Sequence, residues 1–246
     1  MSRPAGASPL DAVFLDAVSP IDPRDLGSGG ALLVPNGLAF GALQWRRRGG
    51  RHWDWFRDEP DRHRIEGSRH SLHLGVDLAF TVRRGLVWSL PAGLPVRAPA
   101  DGVIAAAHGS GAKELEPGGL MIAHGGAPAT SVRPVTYLGD VRDLRRAGER
   151  VRRGDVVAET IAQSHRRVPR VVVHFGLALD VPGFGLVFVD PTALLRRWKI
   201  RHPVFPGSTC TPDRLAAARP GKWRAAGIVE GGVPAARFEK SWRSRY

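Results

Sequence analysis

Between Ser71 and Pro191 the chain is a succession of short apolar runs, each ended by Gly, Pro or Asp. The runs read "LHLGVDLAF", "GLVWSL", "LPVRAPADGVIAAA", "GGLMIAHG", "PVTYLGDV", "GDVVAETIA" and "VVVHFGLAL". Short runs at this spacing, with turn residues between them, predict an all-β sandwich or barrel. The 30 glycines and 20 prolines of the 246 residues favour the same reading, because both residues suit turns better than helix interiors. A convincing helical pattern comes only afterwards, in "VDPTALLRRWKI". There Asp190 suits an N-cap, Pro191 the first helical position, and Leu194, Leu195 and Trp198 share a face.

The flanks are of different character. Residues 1–30 are rich in Pro, Gly, Ala and Asp and read as a flexible leader. Residues 31–69 read as a hairpin and loop packed on the core: Pro35-Asn36-Gly37 divides two apolar runs, and Asn-Gly is a strong hairpin signal. The loop carries Trp53 and Trp55 among charged residues, more in the manner of a strand edge than of a base-stacking platform. Residues 70–200 form the β domain, and 201–246 a C-terminal extension with a basic, exposed tail from Arg237.

Composition excludes several classes. The formal charge is +13, yet the arginines are scattered rather than striped, so no nucleic-acid footprint is expected. Cys210 is the only cysteine, which excludes an intramolecular disulfide and a multi-cysteine structural zinc site. Met1–Asp22 has no continuous apolar stretch of the secretory kind, and no stretch approaches the length of a membrane span.

Three residues suit chemistry. His73 and Asp77 lie four apart in "HLGVD", a separation of roughly 13 Å if extended, which a bend at Gly75 would shorten. His174 lies within a run so apolar that a lone imidazole there needs a partner. Two imidazoles and one carboxylate suit zinc with a fourth position left open, although each signal taken singly is weak.

The wider pattern is similar to the lysostaphin-type (LytM-like) zinc metallopeptidases. "HLGVDLAF" resembles their opening ligand motif, "LPVRAPADGVIAAA" and "GGLMIAHG" their following strands, and "VTYLGDV" the strand with a tyrosine and a catalytic histidine. "AGERVRRGDVVAET" resembles their Gly-x-x-Val-x-x-Gly segment, and "VVVHFGLALD" with "VDP" their closing strand and its ending. The six segments cover about half the chain in the family's order. The resemblance implies an antiparallel β-sheet core of the duplicated hybrid motif type, one Zn2+ held by His73, Asp77 and His174, and action on peptidoglycan peptides. It also implies a periplasmic or extracellular location. The family's two catalytic histidines fall on Val172 and Gly139, so neither is a histidine here. Strand alternation would put position 172 on the face of His174. Positioned acid–base groups are worth roughly 10² to 10⁴ in rate, so their loss leaves turnover open.

His165, in the loop before the closing strand, is the expected substitute, with His124 and Asp140 as further choices. Tyr137 matches a family tyrosine that would contact substrate. Two functions follow: a zinc metalloendopeptidase cleaving peptidoglycan cross-links, or a non-catalytic relative that binds wall peptides or regulates a partner hydrolase. A lipoyl-type carrier is excluded because the one lysine of the β region, Lys113, sits beside Glu114 and Glu116 and not at a hairpin tip.

Overall fold

In the computed structural model the described residues are 9–27, 30–34, 43–45, 70–72, 75–83, 86–108, 118–125, 132–165, 168–182, 185–200 and 233–234. Helix α1 (Pro9–Phe14) is followed by a 3₁₀ turn (Pro23–Leu26) and strands β1 (Ala31–Leu33), β2 (Leu43–Trp45) and β3 (His70–Leu72). Next come β4 (Val76–Leu78), β5 (Phe80–Arg83), β6 (Leu86–Ser89), β7 (Pro95–Arg97), β8 (Gly102–His108) and β9 (Gly118–His124). They lead to β10 (Arg133–Asp143), β11 (Arg150–Val151), β12 (Val156–Thr160), β13 (Ala162–His165) and β14 (Val168–Val171). The series ends with β15 (Val173–Val181), β16 (Gly185–Val189), α2 (Thr192–Arg197) and β17 (Val233–Pro234).

The expected all-β class is what folds. Among the described residues every strand pairing is antiparallel, and nine strands form the main sheet, running β11-β8-β9-β10-β12-β7 with β15 joining β10 to β4 and β16. Strand β10 is the hub. One edge pairs with β9; the other pairs with β15 as far as Gly139 and with β12 from Val141. The change of partner falls on Asp140, where the β9 register also slips and the backbone takes φ 63°. Aspartate tolerates that left-handed conformation better than most residues, and such a bulge bends its strand.

Alternation along the strands divides the sheet into two faces. One carries Val76, Leu78, Ile122, Leu138, Val173, Phe175 and Leu177, all 3% exposed or less. Helix α2 covers part of it through Leu194 and Leu195, with the Trp198 ring 5.3 Å from that of Phe175. Asp190 supports the start of α2 as expected, one residue further out: its Oδ1 accepts from the Thr192 N–H at 2.8 Å. The helix itself begins at Thr192, with Pro191 in front of it.

In the N-terminal third, residues 1–8 lie outside the described residues. Residues 9–27 are docked on the core. Phe14, Ile21 and Leu26 are buried, contributing roughly 1.5–3 kcal/mol for each large side chain. The Arg97 N–H donates to the Pro20 carbonyl at 2.8 Å, and the Trp198 indole N–H to that of Ala17 at 2.9 Å. Composition alone misses this because the few apolar residues that anchor the segment are spaced irregularly among Pro and Asp. Strand β1, before Asn36-Gly37, pairs with β5, and β2, after it, pairs with β3. The Asn36-Gly37 turn, like Trp53, Trp55 and the tail from Arg237, lies outside the described residues.

Candidate metal and peptide site

The face of the main sheet opposite the core is built around His174. On β15 this residue stands directly across from Asp77 of β4 on one side and Gly139 of β10 on the other. Paired residues share a face, so the imidazole and the carboxylate project together. His174 Nδ1 lies 3.2 Å from Asp77 Oδ1, the side chains being 18% and 10% exposed. That separation suits an N–H···O hydrogen bond. It also matches the distance of about 3.3 Å between two ligands of a tetrahedral zinc with bonds of about 2.0–2.1 Å.

Gly75 makes the approach possible. A Cβ there would meet His174 Nε2 and the Phe175 carbonyl oxygen, each at 2.6 Å. Only glycine lets β4 begin this close to β15, so the glycine between the two expected ligands serves close approach as well as the bend.

Gly139 has a different neighbour. A Cβ there would lie 2.7 Å from the Tyr137 hydroxyl oxygen, and the Tyr137 ring is 5.4 Å from that of His174, tilted by 54°. The phenol therefore lies along the strand over the glycine.

Val172 sits in the break between β14 and β15 and is 2% exposed. Strand alternation does not carry through that break, which removes the argument placing Val172 on the face of His174. His165 pairs with Val168 beside the tip of the β13–β14 hairpin. His73 lies outside the described residues, among which no three metal-ligating side chains come together. A cavity of about 380 Å³ bordered by Ser19, Asp22, Arg24, Arg97 and Trp198 contains none of the candidates.

His124 is set aside as an acid–base group. It is wholly buried, with Nδ1 2.9 Å from the Asp101 carbonyl oxygen and Nε2 2.9 Å from the Thr136 hydroxyl. A carbonyl only accepts, so Nδ1 carries the proton and Nε2 accepts from Thr136. Burial outweighs the help of Asp101 and pushes the imidazole down to about 4, so it is neutral at pH 7. Sequence reasoning missed Asp143, at the far end of β10. Burial raises its carboxyl to about 7, with the Gly119 N–H lowering it in part. Among the described residues neither oxygen meets hydrogen-bond geometry with a partner, that N–H included.

No family model and no curated protein matches the chain. Among solved structures it is similar to the catalytic domain of the antimicrobial peptidase lysostaphin from Staphylococcus simulans. The two are 17% identical with TM-score 0.37, over 72% of this chain and 98% of that one. It is also similar to LytU, 21% identical with TM-score 0.35, over 54% of this chain and 79% of that one. A zinc containing peptidase from Vibrio cholerae is 19% identical with TM-score 0.34, over 65% and 39%. The chain is thus similar to lysostaphin-type peptidases. Likeness at this level carries no function with it, which leaves the chemistry to this chain's own side chains.

Proposed function

We propose that the chain is a zinc-binding protein of the lysostaphin type that acts on the peptide cross-links of peptidoglycan as a metalloendopeptidase. One observation carries the reading: Asp77 and His174, two donors of the right kind, face each other across adjacent strands at a separation that suits shared ligation. His73, four residues before Asp77, would complete the set for one ion. Bound there, zinc would supply Lewis acidity toward a peptide carbonyl and a water of lowered pKa.

The protein's own part is to hold these groups rigidly. Register fixes His174 against Asp77, and the buried strands beneath leave little freedom to either. Tyr137 borders the same face and would contact the peptide, while His165 would assist proton transfer from the hairpin that precedes β15. Peptidoglycan places the working protein in the periplasm or outside the cell. Among the described residues no helix is long and apolar enough to cross a membrane.

A second reading has one observation in its favour. Positions 139 and 172 carry no proton-transferring side chain, and Val172 is buried. On that reading the domain binds wall peptides, or regulates a partner hydrolase, without turnover. Metal content by mass spectrometry on wild type, Asp77→Ala and His174→Ala, with peptide release from purified peptidoglycan, separates the two. One zinc per chain, lost in both variants and accompanied by release, is the expected result. Zinc without release favours the second reading, and a metal-free wild type sinks the ligand assignment.

A further inference from the structure

The residue that faces His174 across β10 is a glycine, and the space above it is taken. Tyr137, two residues earlier on the same face, lays its phenol along the strand. A Cβ at position 139 would find the hydroxyl oxygen at 2.7 Å, Cζ at 2.9 Å and Cε1 at 3.1 Å. No side chain at 139 could coexist with this rotamer. The two features therefore belong together: glycine opens the space and tyrosine fills it. The bulge at Asp140 follows at once, and such bulges re-aim neighbouring side chains.

We propose that the Tyr137 hydroxyl, seated over Gly139, donates a hydrogen bond to the peptide carbonyl oxygen held beside His174. The inference rests on the metallopeptidase reading above and deepens it. A hydroxyl donor beside an oxygen that gains negative charge during attack stabilises that charge, and it is most effective when it is already in position. Tyr137 is suitably placed: half-buried, beside the His174 ring, on the strand that pairs with β15. Gly139 is then a requirement of the tyrosine's position and not merely an absent histidine.

The test uses acetohydroxamate, a small zinc-directed oxyanion that needs no knowledge of the peptide cleaved. Its affinity is measured by calorimetry on zinc-loaded wild type, Tyr137→Phe, Gly139→Ala and the double variant, with zinc content on each sample. Tyr137→Phe should weaken binding about tenfold at unchanged zinc content, the size expected for one hydrogen bond to a charged oxygen. Gly139→Ala should weaken it comparably by displacing the phenol, and the double variant should be no weaker than either. Unchanged affinity in Tyr137→Phe at full zinc content overturns the proposal and leaves the metallopeptidase reading standing. A fully additive loss in the double variant overturns the shared cause. A metal-free wild type overturns both. Tyr137→Phe removes a single oxygen atom, so the result decides even where Gly139→Ala fails to fold.

Discussion

Two histidines, one on each side of the main sheet, have opposite surroundings. His124 lies on the core face, wholly buried against the Phe14 ring at 5.1 Å, its nitrogens occupied by a carbonyl and a hydroxyl. His174 lies on the other face, part-exposed, across from a carboxylate. Strand β10 serves both, with Thr136 turned to His124 and the adjacent Tyr137 to His174. The difference teaches what separates a structural imidazole from a chemical one. A polar ring sealed in the core and satisfied by neutral partners is held neutral, whereas one beside a carboxylate at a partly open face is placed to share a cation with it.

The largest effect should come from exchanging the two truncations. His174→Ala should abolish zinc binding while leaving the denaturation midpoint of the metal-free protein within a few degrees of wild type. His124→Ala should do the reverse. It should cost about 3 kcal/mol, through a cavity and two buried groups left without partners, and spare zinc binding in the molecules that remain folded. Chemical denaturation with metal analysis on both variants checks the pair. Zinc loss in His124→Ala under conditions where it is fully folded would end the distinction.

How far these roles were legible in the sequence follows from the same contrast. The strand runs and their turns announced an all-β chain because period and punctuation are local. The pairing of Asp77 with His174 lay partly within reach, since both stood out by residue type, but their 97-residue separation is closed only by register. His124 could not be told from a reactive histidine, because its neutrality comes from burial beneath the Phe14 ring of a docked N-terminal segment. The docking of residues 9–27 was not legible, for lack of any periodic pattern. The run "VTYLGDV" gave no sign that Tyr137 would cover Gly139. The close approach needs a rotamer, and rotamers are not written in spacing.

Gly75→Ala comes next in size and acts only on the His174 side. A methyl group 2.6 Å from both the Phe175 carbonyl oxygen and His174 Nε2 must push β4 off β15 or rotate the imidazole. The expected cost is about 1–3 kcal/mol, with zinc affinity reduced at least tenfold. Gly93→Ala is the control, since among the described residues nothing beyond its chain neighbours lies within 4 Å of its Cβ position; its positive φ costs some stability but leaves zinc alone. Equal zinc affinity in Gly75→Ala and wild type would show that the approach of the two strands does not position the ligand.

The smallest effect concerns pH and pits His124 against Asp143. The imidazole titrates near 4 folded and 6.5 unfolded, so between these values the unfolded chain binds more protons and stability falls as the pH drops. Asp143 titrates near 7 folded and 3.8 unfolded, so over almost the same window the folded chain binds more protons and stability falls as the pH rises. The two slopes oppose each other, and the wild type should vary little between pH 4.5 and 6.5. Asp143→Asn removes one of them. At pH 8 the variant should be more stable than wild type by about 1–2 kcal/mol, a figure reduced for the carboxylate's partial exposure. At pH 4.5 the gain should shrink toward zero, leaving the His124 slope uncovered. Urea denaturation of both proteins at the two pH values reads the difference directly. A variant that tracks wild type at both would mean that Asp143 is solvated in solution, and the slope from the core-face histidine would then stand unopposed by it.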